Sequence, residues 1–109
     1  MPPPTTDVIQ GTLDMLILRS VSLEPMHGFG ITQRIEQISG GVFRINPGSL
    51  LLAFQRMERA GLIDGEWRTT DNNRRARFYR ITAKGRKQLN DHKRDWERRV
   101  AAIARLLET

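Results

Sequence analysis

The sequence contains no cysteine, so neither a disulfide framework nor a thiolate metal site is available to it. Its two histidines, His27 and His92, lie far apart in the chain and cannot make a metal site alone. No apolar run approaches the roughly 18 residues of a membrane span, and the N-terminus lacks the apolar centre of a signal peptide. The chain is therefore expected to be cytoplasmic, with no membrane partner. No Ser/His/Asp constellation, paired carboxylates, phosphate loop or metal-ligand spacing is visible. We therefore expect no catalytic residue, no metal, no cofactor and no enzymatic activity.

What is present is 109 residues, enough for one domain with a modest core, carrying a formal net charge of +6. The charge is unevenly spread. Residues 1–63 carry five bases and five acids, whereas residues 64–109 carry thirteen bases and seven acids. Between Arg68 and Lys87 eight bases face a single acid, Asp71. Such a surplus attracts a polyanion, and the guanidinium fork of arginine can bond two phosphate oxygens at once.

Met1 to Thr6 is a proline-rich tail expected to be mobile. Asp7 and Gln10 have the spacing of a capping-box variant opening a first helix. From Thr12 to Leu23 that helix is apolar on nearly every side, which suits a central element packed on its own domain and on a second subunit. His27 to Ile38 reads as a second helix with Ile31, Ile35 and Ile38 on one stripe. Gly28 and Gly30 in its first turn suggest close backbone packing, and His27 a satisfied N-terminal residue. Val42 to Ile45 is expected as a short strand.

Asn46 can cap a third helix that Pro47 opens and Gly61 closes. Leu50, Ala53, Phe54 and Met57 share its buried stripe, leaving Ser49, Leu52, Gln55, Arg56 and Arg59 towards the other sides. Two short runs rich in aromatic and β-branched residues follow, Leu62 to Arg68 and Ala76 to Thr82, joined by a polar turn. In the second run Tyr79 and Ile81 share one face and Phe78 and Arg80 the other, and the inward pair is expected to pack over the helices with Ile63. Trp67 is expected to pair across the strands with an aromatic. Thr82 caps a last helix, Ala83 to Leu107, in which Leu89, Trp96 and Ile103 repeat every seven residues beside Lys93, Val100 and Leu107. A helix of roughly 37 Å outruns one small domain, so its uncovered end points to a dimer.

The expected fold is mainly α with a small β wing. It comprises a mobile tail (1–6), a winged helix-turn-helix DNA-binding domain (7–82) and a C-terminal dimerisation helix (83–109). In such a fold the third helix enters the major groove. Its candidate DNA contacts are Ser49, Leu51, Leu52, Gln55, Arg56 and Arg59, with Gln55 able to read adenine and Arg56 able to read guanine, clamp the backbone or pair with an acid. Arg74, Arg75 and Arg77 at or beside the wing tip, and Lys84 after it, are candidates for phosphates or a narrow minor groove. The same elements also fit a winged helix used for protein interaction, with exposed leucines as its anchor.

Five motifs recur together: GTLDMLIL from Gly11, HGFGI from His27, GSL from Gly48, RMERAGLI from Arg56 and RFYRITAKG from Arg77. Together they resemble the PadR family of transcriptional regulators, in its compact branch with a single C-terminal helix, over nearly all of Gln10 to Leu107. The resemblance implies a homodimer held by the first and last helices, with Leu13, Leu16, Ile17, Leu89, Trp96, Val100, Ile103 and Leu107 at the interface. It also implies a palindromic double-stranded DNA operator and repression of nearby genes. Some relatives respond to phenolic acids or drugs, and in certain multidrug regulators paired tryptophans of the last helix line a pore at the dimer axis. By that comparison Trp96 is the candidate contact for a small aromatic effector. Leu51 and Leu52 depart from the family pattern of tyrosine then proline, and Phe29 replaces a common tyrosine.

Overall fold

The computed structural model describes residues 12–43 and 45–109. The expected tail and the Asp7–Gln10 cap lie outside those residues. The chain opens with α1 (Thr12–Leu23), which buries Ile17, Leu18 and Val21. It packs against every other helix and against the wing. β1 (Met26–His27) follows, then α2 (Gly28–Ile38) and α3 (Pro47–Arg59). The hairpin strands are β2 (Ile63–Thr69) and β3 (Arg75–Ile81), and α4 (Ala83–Leu107) closes the chain.

Local chemistry accounts for the helix boundaries. His27 is the N-cap of α2 rather than its first residue: the Gly30 N–H donates to its Nδ1 at 2.9 Å. Gly28 lets the helix approach α3, since a Cβ there would lie 2.9 Å from the Phe54 ring. Ile38, expected on the buried stripe, is exposed at the end of the helix. Asn46 caps α3 through its Oδ1, which accepts from the Gly48 N–H at 2.8 Å, and Pro47 occupies the first turn. Gly61 adopts φ +75°, the left-handed conformation that ends a helix at low cost. Thr82 caps α4 in the same manner as Asn46, accepting from the Gly85 N–H at 3.0 Å.

The sheet is antiparallel in the order β1-β3-β2. Where a short strand is expected, at Val42–Ile45, only Phe43 forms an isolated bridge among the described residues, and the strand that pairs with Tyr79–Phe78 is Met26–His27. Along the hairpin, Ile63 faces Ile81, Gly65 faces Tyr79, Trp67 faces Arg77 and Thr69 faces Arg75. These eight residues share the face that folds over the helices. Ile63 and Tyr79 are buried there, and the Tyr79 ring stacks on Phe54 at 4.3 Å. Burial of the Tyr79 phenol raises its pKa above the usual tyrosine value.

The core joins α1, α2, α3, the base of the wing and the first turns of α4. Two residues expected at a dimer interface belong to it: Ile17 is wholly buried and Leu89 nearly so within the single chain, leaving almost no area for a partner to cover. Leu13 and Leu16 are half-buried against the same core. Beyond His92 every residue of α4 is exposed, including Trp96, Val100, Ile103 and Leu107.

Candidate nucleic-acid interface

α3 presents two opposed stripes. At about 100° per residue, the buried Leu50, Ala53, Phe54 and Met57 occupy one side. Ser49, Leu52, Gln55, Arg56 and Arg59 occupy an arc of roughly 120° on the other, and all five are exposed. Leu51, at the edge of that arc, is also exposed, so its first turns offer water two leucines together with Ser49. A hydroxyl, an amide and methyl-rich side chains on one exposed helix face match the edges and thymine methyls of a major groove.

The wing stands beside this helix. Its turn is closed by the Thr70 N–H donating to the Arg74 carbonyl at 2.7 Å, with Asn73 at φ +60°. Arg74 and Arg75 are exposed at the tip. Pro47, Leu50 and Leu51 of α3, Phe29 of α2 and Arg74 and Arg75 of the wing border one open cleft of about 660 Å³. The start of α3, with Leu51 at the edge of its exposed arc, and the wing cations therefore border the same cleft.

The ten candidate DNA contacts divide by what already holds them. Arg59, Arg74 and Arg75 make no salt bridge among the described residues. Arg56 is different: its two terminal nitrogens donate to both oxygens of Asp14 at 2.6 Å each. That hydrogen bonding raises its pKa further, and the partner carboxylate is almost buried in α1. Arg77, expected at or beside the tip, stands back in β3 and donates from Nε and Nη2 to Glu58 at 3.0 and 2.8 Å. These bonds hold the Glu58 carboxyl below the usual carboxylate range and raise Arg77. Lys84 donates from Nζ to the Ala60 carbonyl at 2.7 Å, at the C-terminal end of α3 where a cation is favoured.

Trp67 has no aromatic partner across the strands. Arg77 sits opposite it, and the guanidinium carbons of Arg75 and Arg77 lie 5.3 and 5.5 Å from its ring centroid. The indole thus steadies two arginines through its face. Asp14 and Glu58 are the participants that sequence reasoning missed. Their partners lie 42 and 19 residues away, and no local pattern carries such a pairing.

No cluster of three or more His, Asp or Glu that could hold a metal occurs among the described residues. No helix among them is long and apolar enough to cross a membrane. The profile of the transcriptional regulator PadR-like family matches residues 17–91. Transcriptional regulator Rv3488 of Mycobacterium tuberculosis is 35% identical over 81 residues, covering 74% of this chain and 72% of its own. A transcriptional regulator of Clostridium thermocellum is 28% identical and superimposes with a TM-score of 0.80, covering 90% of this chain and 92% of its own. A PadR-like transcriptional regulator of Bacillus cereus shares the fold at 24% identity, with a TM-score of 0.80 over 94% of this chain and 97% of its own.

Proposed function

The chain belongs to the PadR-like family of transcriptional regulators, and from that premise we propose that it is a homodimeric repressor of a palindromic operator. In this reading α3 lies in the major groove with Ser49, Leu51, Leu52, Gln55 and Arg59 towards the bases and backbone. Arg74 and Arg75 reach flanking phosphates. The observation that carries it is the shared border around one cleft of the α3 N-terminus and of Arg74 and Arg75, which make no salt bridge among the described residues. The dimer is proposed from the apolar stripe of α4, where Trp96, Val100, Ile103 and Leu107 are exposed at helical spacing beyond the body of the protomer. The protein acts by binding and not by catalysis.

Selection of bound fragments from a random duplex pool tests this directly. A repressor dimer recovers an inverted repeat whose half-sites are about one helical turn apart or a multiple of it. Recovery of no enriched motif, or of a single unrepeated half-site, would count against it. Effector gating is part of the same proposal: a flat aromatic ligand stacks on Trp96 at the dimer axis and binds two dimer conformations unequally. In a Trp67→Phe background, such ligands should quench the remaining tryptophan; a panel that leaves it unchanged removes the effector from the account. The exposure of Leu51 and Leu52 also favours a second reading, docking of a protein on this face. It requires that duplex DNA fail to shift the protein while a stoichiometric protein partner is recovered.

A further inference from the structure

We propose that Arg56 and Arg77 are positioning residues, which fix the reading helix between the first helix and the wing, and that neither contacts DNA. The inference rests on the DNA-binding reading above. Arg56 and Glu58 are two residues apart on α3, about 200° of rotation, so they point to opposite flanks of the helix. One flank is tied to α1 through the two-pronged bond to Asp14, and the other to β3 through the two-pronged bond from Arg77. α3 is thereby held on both sides by paired bonds whose planar geometry fixes direction as well as distance.

Three observations favour positioning over phosphate contact. Asp14 is only 8% exposed, so an Arg56 that turned to a phosphate would strand a nearly buried carboxylate. Arg77 already gives Nε and Nη2 to Glu58, whereas Arg75, on the same strand face and over the same Trp67 ring, makes no salt bridge among the described residues. Finally, the sheet leaves room for the pair: a Cβ at Gly65 would lie 2.7 Å from both Arg77 Nε and Glu58 Oε1. The missing side chain at Gly65 is what lets the Arg77–Glu58 pair seat against the base of the hairpin.

The two roles have opposite signatures when the acid is neutralised. Glu58→Gln and Asp14→Asn free an arginine. A DNA-contacting arginine so freed would tighten binding or steepen its salt dependence, because counterion release scales with the phosphates neutralised. A positioning arginine loses its purpose. We expect each variant to bind the selected duplex about five-fold more weakly, with an unchanged slope of log K against log salt. Without DNA, hydrogen exchange of the Gly65–Trp67 amides in Glu58→Gln should quicken by a similar factor, about five-fold. The exchanged pair Glu58→Arg with Arg77→Glu should recover both affinity and protection to within about two-fold, although it places an acid where a phosphate contact would need a base. Tighter binding, a steeper slope, unchanged affinity, unchanged exchange or a failed recovery in the exchanged pair each overturns the proposal. A wild-type protein that binds no duplex in a salt-dependent way refutes the DNA reading instead, and the exchange measurement then decides the positioning role alone.

Discussion

Replacing Gly85 with alanine should destabilise the protein although it improves a helix. In an unhindered helix interior the change is worth about 1 kcal/mol of stabilisation. Gly85 is in the first turn of α4, however, and a Cβ there would lie 2.1 Å from the Leu62 carbonyl oxygen and 2.8 Å from Ile81 Cγ1. The obstacle is backbone and cannot rotate away. That carbonyl accepts from the Thr82 N–H at 3.1 Å, and the Thr82 hydroxyl, its one proton shared between the Gly61 and Leu62 carbonyls at 2.6 and 3.0 Å, also caps Gly85 through its oxygen. Relieving the clash means moving the start of α4 by more than about an ångström, which opens this network. Overpacking costs about 1–3 kcal/mol and the displaced hydrogen bonds about 1 kcal/mol each. After the gain in propensity, a net loss of about 2–5 kcal/mol remains. For a domain near 100 residues the melting temperature should fall by about 10 °C or more. Urea titration followed by helical circular dichroism measures the loss. Gly41→Ala is the comparison, since Gly41 also has a special role (φ +80°) but open space around it, and should cost only about 1–2 kcal/mol. A Gly85→Ala midpoint equal to or above that of wild type would refute the packing argument.

Other outcomes follow from the same structure. Ile103→Asp, on the exposed part of α4, should leave the fold intact and shift the protein towards monomer in sedimentation, weakening self-association at least about 100-fold; an undisturbed dimer places the interface elsewhere. Asn46→Ala removes the cap of α3 and should cost about 1 kcal/mol in denaturant titrations; no change would mean that the Oδ1 bond to Gly48 carries no stability. Arg77 holds the folded-state Glu58 pKa below its unfolded value, so the pair contributes stability above the usual carboxylate range and loses it as pH falls through the depressed value. Wild type should therefore exceed Glu58→Gln in stability at pH 7 and converge with it on acidification. A constant difference across that range would exclude the pair as its source.

The parts of the fold legible in the sequence are those fixed by neighbours in the chain. Asn46, Pro47 and Gly61 bound α3, and Thr82 opens a helix that ends at Leu107, because caps and turn residues act over three or four positions. The stripe of Leu50, Ala53, Phe54 and Met57 is likewise a matter of period. What escaped depends on partners distant in sequence. β1 is two residues long, too short for any alternation, and exists because β3 offers it a register. A helical repeat shows that Ile17 and Leu89 are apolar-facing, but cannot say whether the same chain or a second copy covers them. The sequence leaves Arg56 open to a base, the backbone or an acid and offers Arg77 to phosphate; only the fold brings Asp14 and Glu58 to them. Trp67 read as an aromatic partner because the hairpin register, which sets Arg77 opposite it, depends on the exact extent of the turn.

The central claim is that α3 and the wing cations together grip a duplex. It is tested most directly by fluorescence anisotropy on duplex DNA from upstream of the gene, over a series of salt concentrations, with wild type and the Arg74→Ala/Arg75→Ala double variant. The account predicts that log K falls linearly with log salt for wild type, and that the slope per protomer is shallower by about 1.8 in the double variant, about 0.9 for each phosphate contact removed. Binding insensitive to salt, or a double variant with the wild-type slope, would contradict it.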